Sequence, residues 1–172
     1  MLSRRSLFAG SAAVAALTGL GVFLPHRAGA ESTGDFPVTL SRDEWKKKLT
    51  DGQFSVLRDE GTERAFTSPL NDEHRQGVFH CAGCDNAVYS SKAKFDSGTG
   101  WPSFYEAIAP AAVATSRDFK LIYPRTEVHC ANCGGHLGHI FNDGPKPTGK
   151  RHCINGVALV FKPAGGGEPV LG

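Results

Sequence analysis

Beyond its first thirty residues the chain alternates short apolar runs with clusters of Gly, Pro and polar residues, a pattern of many short strands and few helices. One helix is predicted at Ser41, where Ser41 and Glu44 have capping-box spacing and Trp45 and Leu49 lie one turn apart. It should run about two to three turns, with Lys46, Lys47 and Lys48 on a solvated face, and end at Asp51-Gly52. The stretch from Phe54 to Thr67 reads as irregular, with a turn at Gly61-Thr62-Glu63-Arg64 and extended chain after it. Gly77 to His80 reads as a short strand delivering Cys81, and Val113 to Tyr123 as strand, turn, strand with the turn at residues 114–118. From Cys153 to Phe161 the β-branched and aromatic residues predict one strand. Its alternation puts Arg151, Cys153 and Asn155 on one face and His152 and Ile154 on the other. These elements predict a turn-rich, mainly β domain over residues 40–163, with 31–39 as a flexible lead-in and the glycine-rich 164–172 as a disordered tail.

Residues 1–30 stand apart. Ser3-Arg4-Arg5-Ser6-Leu7-Phe8 precedes an Ala- and Gly-rich apolar run to Leu24, and Ala28-Gly29-Ala30 is a small-x-small cleavage pattern. This reads as an export signal of the twin-arginine type, cut after Ala30, with the periplasm as destination. An uncleaved anchor is the alternative, since about 18 apolar residues just span a bilayer, but the Gly and Ala content makes a poor one. After cleavage no stable membrane association is expected. Of the 19 basic residues, Arg4, Arg5 and Arg27 leave with the leader, so 16 face 17 acidic residues in the rest of the chain. That balance carries no footprint for nucleic acid.

Four of the five cysteines fall into two pairs, Cys81-Ala82-Gly83-Cys84 and Cys130-Ala131-Asn132-Cys133. Each pair places two sulfurs on a tight turn, and two such knuckles complete a tetrahedron of thiolates with no open position, the arrangement of structural zinc. Two disulfides, or an iron-sulfur centre, are the competing uses of the same four residues. His136 and His139 are further candidate ligands that four thiolates make unnecessary.

Cys153 is the cysteine without a partner. With a cation and an amide on its strand face it is expected to favour the thiolate; the bland alternative is a small buried apolar residue. Phe95-Asp96-Ser97-Gly98-Thr99-Gly100-Trp101-Pro102-Ser103-Phe104 is too rich in Gly, Ser and Pro for a core strand yet holds three aromatic residues. Trp101 there could wall a site for a methyl or thioether, or pack into the core. In Gly135-His136-Leu137-Gly138-His139 the glycines permit a bend that brings both imidazoles to one pocket, where they would exchange protons near neutral pH.

Taken in order, Cys81-x-x-Cys84, the Phe95–Phe104 run, Cys130-x-x-Cys133, Gly135 to Pro145 and Arg151-His152-Cys153-Ile154-Asn155 resemble the peptide-methionine (R)-S-oxide reductases of the MsrB type, over roughly Leu40 to Phe161. The resemblance implies a small β-fold of two antiparallel sheets with a short N-terminal helix and a four-cysteine zinc site remote from the chemistry. By position it makes Cys153 the nucleophile and Trp101 the ring that receives the substrate methyl. His139 and Asn155 become polar groups at the sulfoxide, and His136, Asp143 and Arg151 their supporting shell. It implies oxidised protein or peptide methionine as substrate, a sulfenic acid on Cys153, and a thioredoxin-like or other external thiol as reductant. One departure stands out: Thr99 occupies the position where many members carry a resolving cysteine. The rival readings are a zinc-knuckle interaction module with an inert Cys153, and a thiol peroxidase.

Overall fold

The structure, a computed structural model, describes residues 35–121 and 123–172; the export signal expected at 1–30 lies outside them. Two antiparallel sheets carry the fold. The first is built from β1 (Gly77–Cys81), β2 (Ala87–Ser90), β9 (Leu159–Pro163) and β10 (Val170–Leu171), in the order β10-β9-β1-β2. The second contains β3 (Lys94–Phe95), β4 (Ser103–Phe104), β5 (Val113–Asp118), β6 (Arg125–Cys130), β7 (His136–Phe141) and β8 (Arg151–Ile154), in the order β3-β4-β8-β7-β6-β5. Alternation explains β1, whose Gly77, Phe79 and Cys81 are buried while Val78 and His80 are half-buried. An aromatic cluster joins the sheets: Phe79 meets Phe104 at 5.0 Å and Phe161 at 4.8 Å, and Tyr89 stacks on Phe104 at 4.4 Å.

Two helices precede the strands. In α1 (Arg42–Lys48) the reciprocal Ser41–Glu44 capping box is formed and Trp45 is buried, as the spacing requires. The chain does not become irregular after Gly52. A second capping box, Thr50 with Gln53, starts α2 (Asp51–Asp59), which buries Phe54, Val56 and Leu57 and ends at Glu60 in the left-handed conformation, φ 53°. Gly52 sits in the first turn, where a good cap outweighs its poor propensity. Among the described residues no helix is long and apolar enough to cross a membrane.

Four further expectations are corrected. Val113–Asp118 is unbroken strand, paired with β6 from Val113↔Cys130 to Asp118↔Arg125; its Thr115, Ser116 and Arg117 are exposed on the sheet edge, which makes an edge strand look like a turn in sequence. The run from Cys153 to Phe161 is two strands in different sheets, joined by a 3-10 turn at Gly156–Ala158. Gly156 is required at that corner because a Cβ would fall 1.9 Å from Ser68 Oγ. The tail is ordered at its end: Val170 and Leu171 pair with Phe161 and Val160, and Gly172 N–H donates to Leu159 O at 3.2 Å. The lead-in is also tied down, with Phe36 edge-on to His129 at 5.8 Å and Val38 N–H donating to Asn132 O at 2.9 Å.

Because Thr50 caps α2 from an exposed position, Thr50→Ala should lower unfolding free energy by about 1 kcal/mol in a denaturant titration.

Candidate active site

Cys81 closes β1 and Cys130 closes β6, so each sheet presents one knuckle to the other. The sulfurs of Cys81, Cys84, Cys130 and Cys133 all lie within 4.8 Å of one another, with Cys81–Cys133 at 3.7 Å and Cys84–Cys130 at 3.5 Å. A tetrahedron of thiolates at about 2.3 Å from zinc has edges of roughly 3.8 Å, which these spacings match. None of the five cysteines is in a disulfide. Arg58 donates to Cys133 Sγ at 3.4 Å and Asn86 Nδ2 to Cys130 Sγ at 3.5 Å, the kind of support that anionic sulfur needs. His136 and His139 stand outside this group, each on a carboxylate of its own.

Cys153 occupies the middle of the second sheet, opposite Ser103 on β4 and His139 on β7. Beside it is a cavity of about 130 Å³ lined by Thr62, Trp101, Arg125, Gly138, His139, Phe141, Cys153 and Asn155. Gly138 lets β7 and β8 close up, since a Cβ there would fall 2.0 Å from Cys153 O. Trp101 Nε1 donates to Glu63 O at 3.1 Å, which fixes the indole as a cavity wall rather than a core residue. Asn155 is braced at both ends: Oδ1 accepts Glu63 N–H and Nδ2 donates to Leu137 O, each at 3.0 Å, leaving one amide hydrogen.

His139 shares Asp118 Oδ2 (2.8 Å) with Arg125 (2.5 Å). Burial alone would raise the Asp118 pKa, but the Lys120 backbone N–H, His139 and Arg125 overcome it and hold the carboxyl down at about 2. The His139 pKa is also lowered, here chiefly by burial against the opposing pull of Asp118, so its neutral form dominates at neutral pH. With Nε2–H on Asp118, Nδ1 is left as the acceptor.

His136, Arg151 and Asp143 do not line the cavity. His136 is buried, with Nδ1 2.8 Å from Glu127 Oε1 and its ring 5.3 Å from that of His139, while its enclosed Nε2 meets no protein partner. Arg151 forms a two-point pair with Asp143 at 2.9 and 2.8 Å and lies 4.4 Å over the Phe141 ring, steadying a residue that does line it. Sequence alone does not single out Thr62, Phe141, Arg125 or, behind them, Asp118 and Glu63; only the two acids' fixed bonding partners, distant in the chain, reveal them.

The expected depressed thiol is reversed. Burial pushes the Cys153 pKa above its ordinary value, outweighing the Thr99 hydroxyl and the Arg151 charge that favour the thiolate.

The SelR domain matches residues 49–163. The chain belongs to the SelR family. The peptide methionine sulfoxide reductase MsrB of Agrobacterium fabrum is 50% identical over 126 residues, covering 73% of this chain and 93% of its own. That of Pseudomonas entomophila is 54% identical over 121 residues (70% and 92%), and that of Methanosarcina barkeri 52% over 125 residues (73% and 88%).

In this SelR chain Thr99 Oγ1 lies 3.8 Å from Cys153 Sγ and heads a row of hydroxyls. Thr99 is 2.8 Å from Ser97 Oγ, Ser97 is 2.7 Å from Ser103 Oγ, and Ser103 donates to Trp101 O at 3.1 Å. Each hydroxyl has one proton. With Ser103 donating to Trp101, the row points away from Cys153 and Thr99 accepts a hydrogen bond from the thiol. For a thiolate every proton turns round, and the charge-assisted bond that Thr99 then donates to sulfur outweighs the neutral Ser103–Trp101 bond given up.

Two outcomes follow from this geometry. Thr99→Val should move the midpoint of Cys153 alkylation against pH upward by about one pH unit, while Thr99→Ser restores it. Stripping the four-cysteine site with a strong chelator should lower the melting temperature by at least on the order of 10 °C, reversed by zinc.

Proposed function

We propose that the chain reduces the R epimer of methionine sulfoxide, in proteins or peptides, to methionine. The observation that carries this reading is the convergence of Cys153, Trp101, His139 and Asn155 on one small cavity in a SelR chain. An indole wall beside a sulfur nucleophile suits a methyl sulfoxide, whose methyl packs on the ring while the sulfur faces Cys153. Selection between epimers then follows from which side of the sulfur the oxygen occupies.

The proton balance suits the charge states. At rest the pair holds one proton, on Cys153, with a neutral imidazole opposite. His139 can take that proton as Cys153 attacks and return it to the sulfoxide oxygen, which otherwise leaves poorly. The S–O bond of the substrate breaks, methionine departs, and the oxygen ends on Cys153 as a sulfenic acid, Cys153 having given up two electrons. The remaining cysteines are gathered at the metal site, so two external thiols close the cycle, releasing water and a disulfide. A thioredoxin-like protein is the fitting donor.

We assign zinc to Cys81, Cys84, Cys130 and Cys133 in a structural role; when bound it ties the two knuckles and supplies no reacting group. The paired arginines and small-residue cleavage pattern of the leader support export to the periplasm by the twin-arginine route. A thiol peroxidase would have no use for Trp101 as a cavity wall, and an inert zinc module would have none for the cavity.

Turnover of separate R and S epimers of a methionine sulfoxide peptide checks the proposal. Only the R epimer should be consumed, Cys153→Ser should abolish turnover, and one equivalent of substrate without reductant should add one trappable oxygen to the protein mass. An intramolecular disulfide with zinc retained would contradict the external recycling step.

A further inference from the structure

A second cavity, of about 220 Å³, has Trp101 in common with the reaction cavity. Phe66, Phe95, Trp101 and Pro102 contribute its apolar lining, and Asp72, His74 and Asp96 add polar groups around it. Phe66 is unusual on two counts. It is 73% exposed, and it holds φ 66°, the left-handed region that bulky side chains avoid. The conformation is imposed by its neighbours: Phe66 N–H donates to Gly100 O at 2.7 Å, and Asn71 Nδ2 donates to the same oxygen at 3.2 Å. Gly100, itself at φ 89°, leaves room for the ring, since a Cβ there would fall 2.8 Å from the Phe66 ring. Lys94, which also borders the cavity, turns its ammonium onto Asn71 O at 2.7 Å and so keeps its charge on the backbone.

Folding gains little from an aromatic ring left in water on a disfavoured backbone, and such strain is concentrated where a ligand is clamped. The reaction cavity, at about 130 Å³, holds little more than a methionine side chain, so the rest of a polypeptide must pass over its rim. We propose that the Phe66, Phe95, Trp101 and Pro102 cavity is a subsite for an apolar side chain adjoining the oxidised methionine in a polypeptide substrate. This rests on the reduction assigned above. The shared indole is its basis: Trp101 lines both the cavity that takes the sulfoxide and the second hollow, so a chain seated at one meets the other across a single side chain.

The test uses R-sulfoxide pentapeptides with Leu or Gly on both sides of the modified residue, and dithiothreitol as reductant. The full protein should favour the Leu peptide about tenfold in kcat/KM, through KM. Phe66→Ala should collapse that preference to within twofold, and Phe66→Leu should keep most of it. Phe66→Gly, which suits the backbone, should lose the preference while melting no lower than the Phe66→Ala protein. A preference that survives both Phe66→Ala and Phe66→Gly, or its absence in the parent protein, overturns the subsite. So does a Phe66→Ala protein whose sole defect is slower recycling by a protein dithiol, which would give the surface to the reductant. Failure of the parent protein to turn over either R-sulfoxide peptide would instead sink the assigned reaction.

Discussion

The reaction cavity depends on Glu63. Its carboxylate accepts the backbone N–H groups of Gly156 and Val157 at 2.5 and 2.9 Å, which sets the corner where the chain leaves one sheet for the other. Its own N–H fixes Asn155, and its carbonyl fixes Trp101. One residue on a loop thereby aligns a wall of the cavity, an amide at its base and the turn that follows Cys153. Burial raises the pKa of this carboxyl, and the two N–H donors that shape the corner oppose that only in part. The arrangement is rigid because each atom of Glu63 that points inward already has a partner.

Around this frame the charged groups are arranged in pairs. Asp118 with His139 and Arg125, Glu127 with His136, and Asp143 with Arg151 each place an anion against a donor, and each pair joins residues distant in sequence or on neighbouring strands. Glu127 is held far below the usual carboxylate range: burial opposes this, but bonds from His129, His136 and the Ser116 hydroxyl prevail. Cys153 stands apart from these pairs, its sulfur 3.8 Å from the Thr99 hydroxyl. A thiol raised by burial is the less reactive form, so oxidation of Cys153 by general agents is slowed.

Much of this is legible from residues that act locally. Ser41 and Glu44 announce α1, the doubled Cys-x-x-Cys announces the metal site, and alternation places Arg151, Cys153 and Asn155 together. α2 carries the same kind of signal in Thr50 and Gln53, masked by Gly52. The corner at Gly156 and the roles of Glu63, Asp118 and Arg125 are not legible, because each depends on a partner brought close by the sheets. The sign of the Cys153 shift escapes a sequence reading for a related reason: sequence neighbours show charge, but burial comes from tertiary packing.

The two sheets are fastened at separated points along the chain, by the Gly156 corner and by the knuckles at the ends of β1 and β6. With both fasteners in place the sheets cannot swing about the corner like covers about a spine. An ion held by the four cysteines would thereby govern the angle between those covers without meeting the substrate. Metal starvation would then slacken the book at its outer edge, while Cys153 on β8 and the Trp101 loop leading into its partner β4 keep to a single cover.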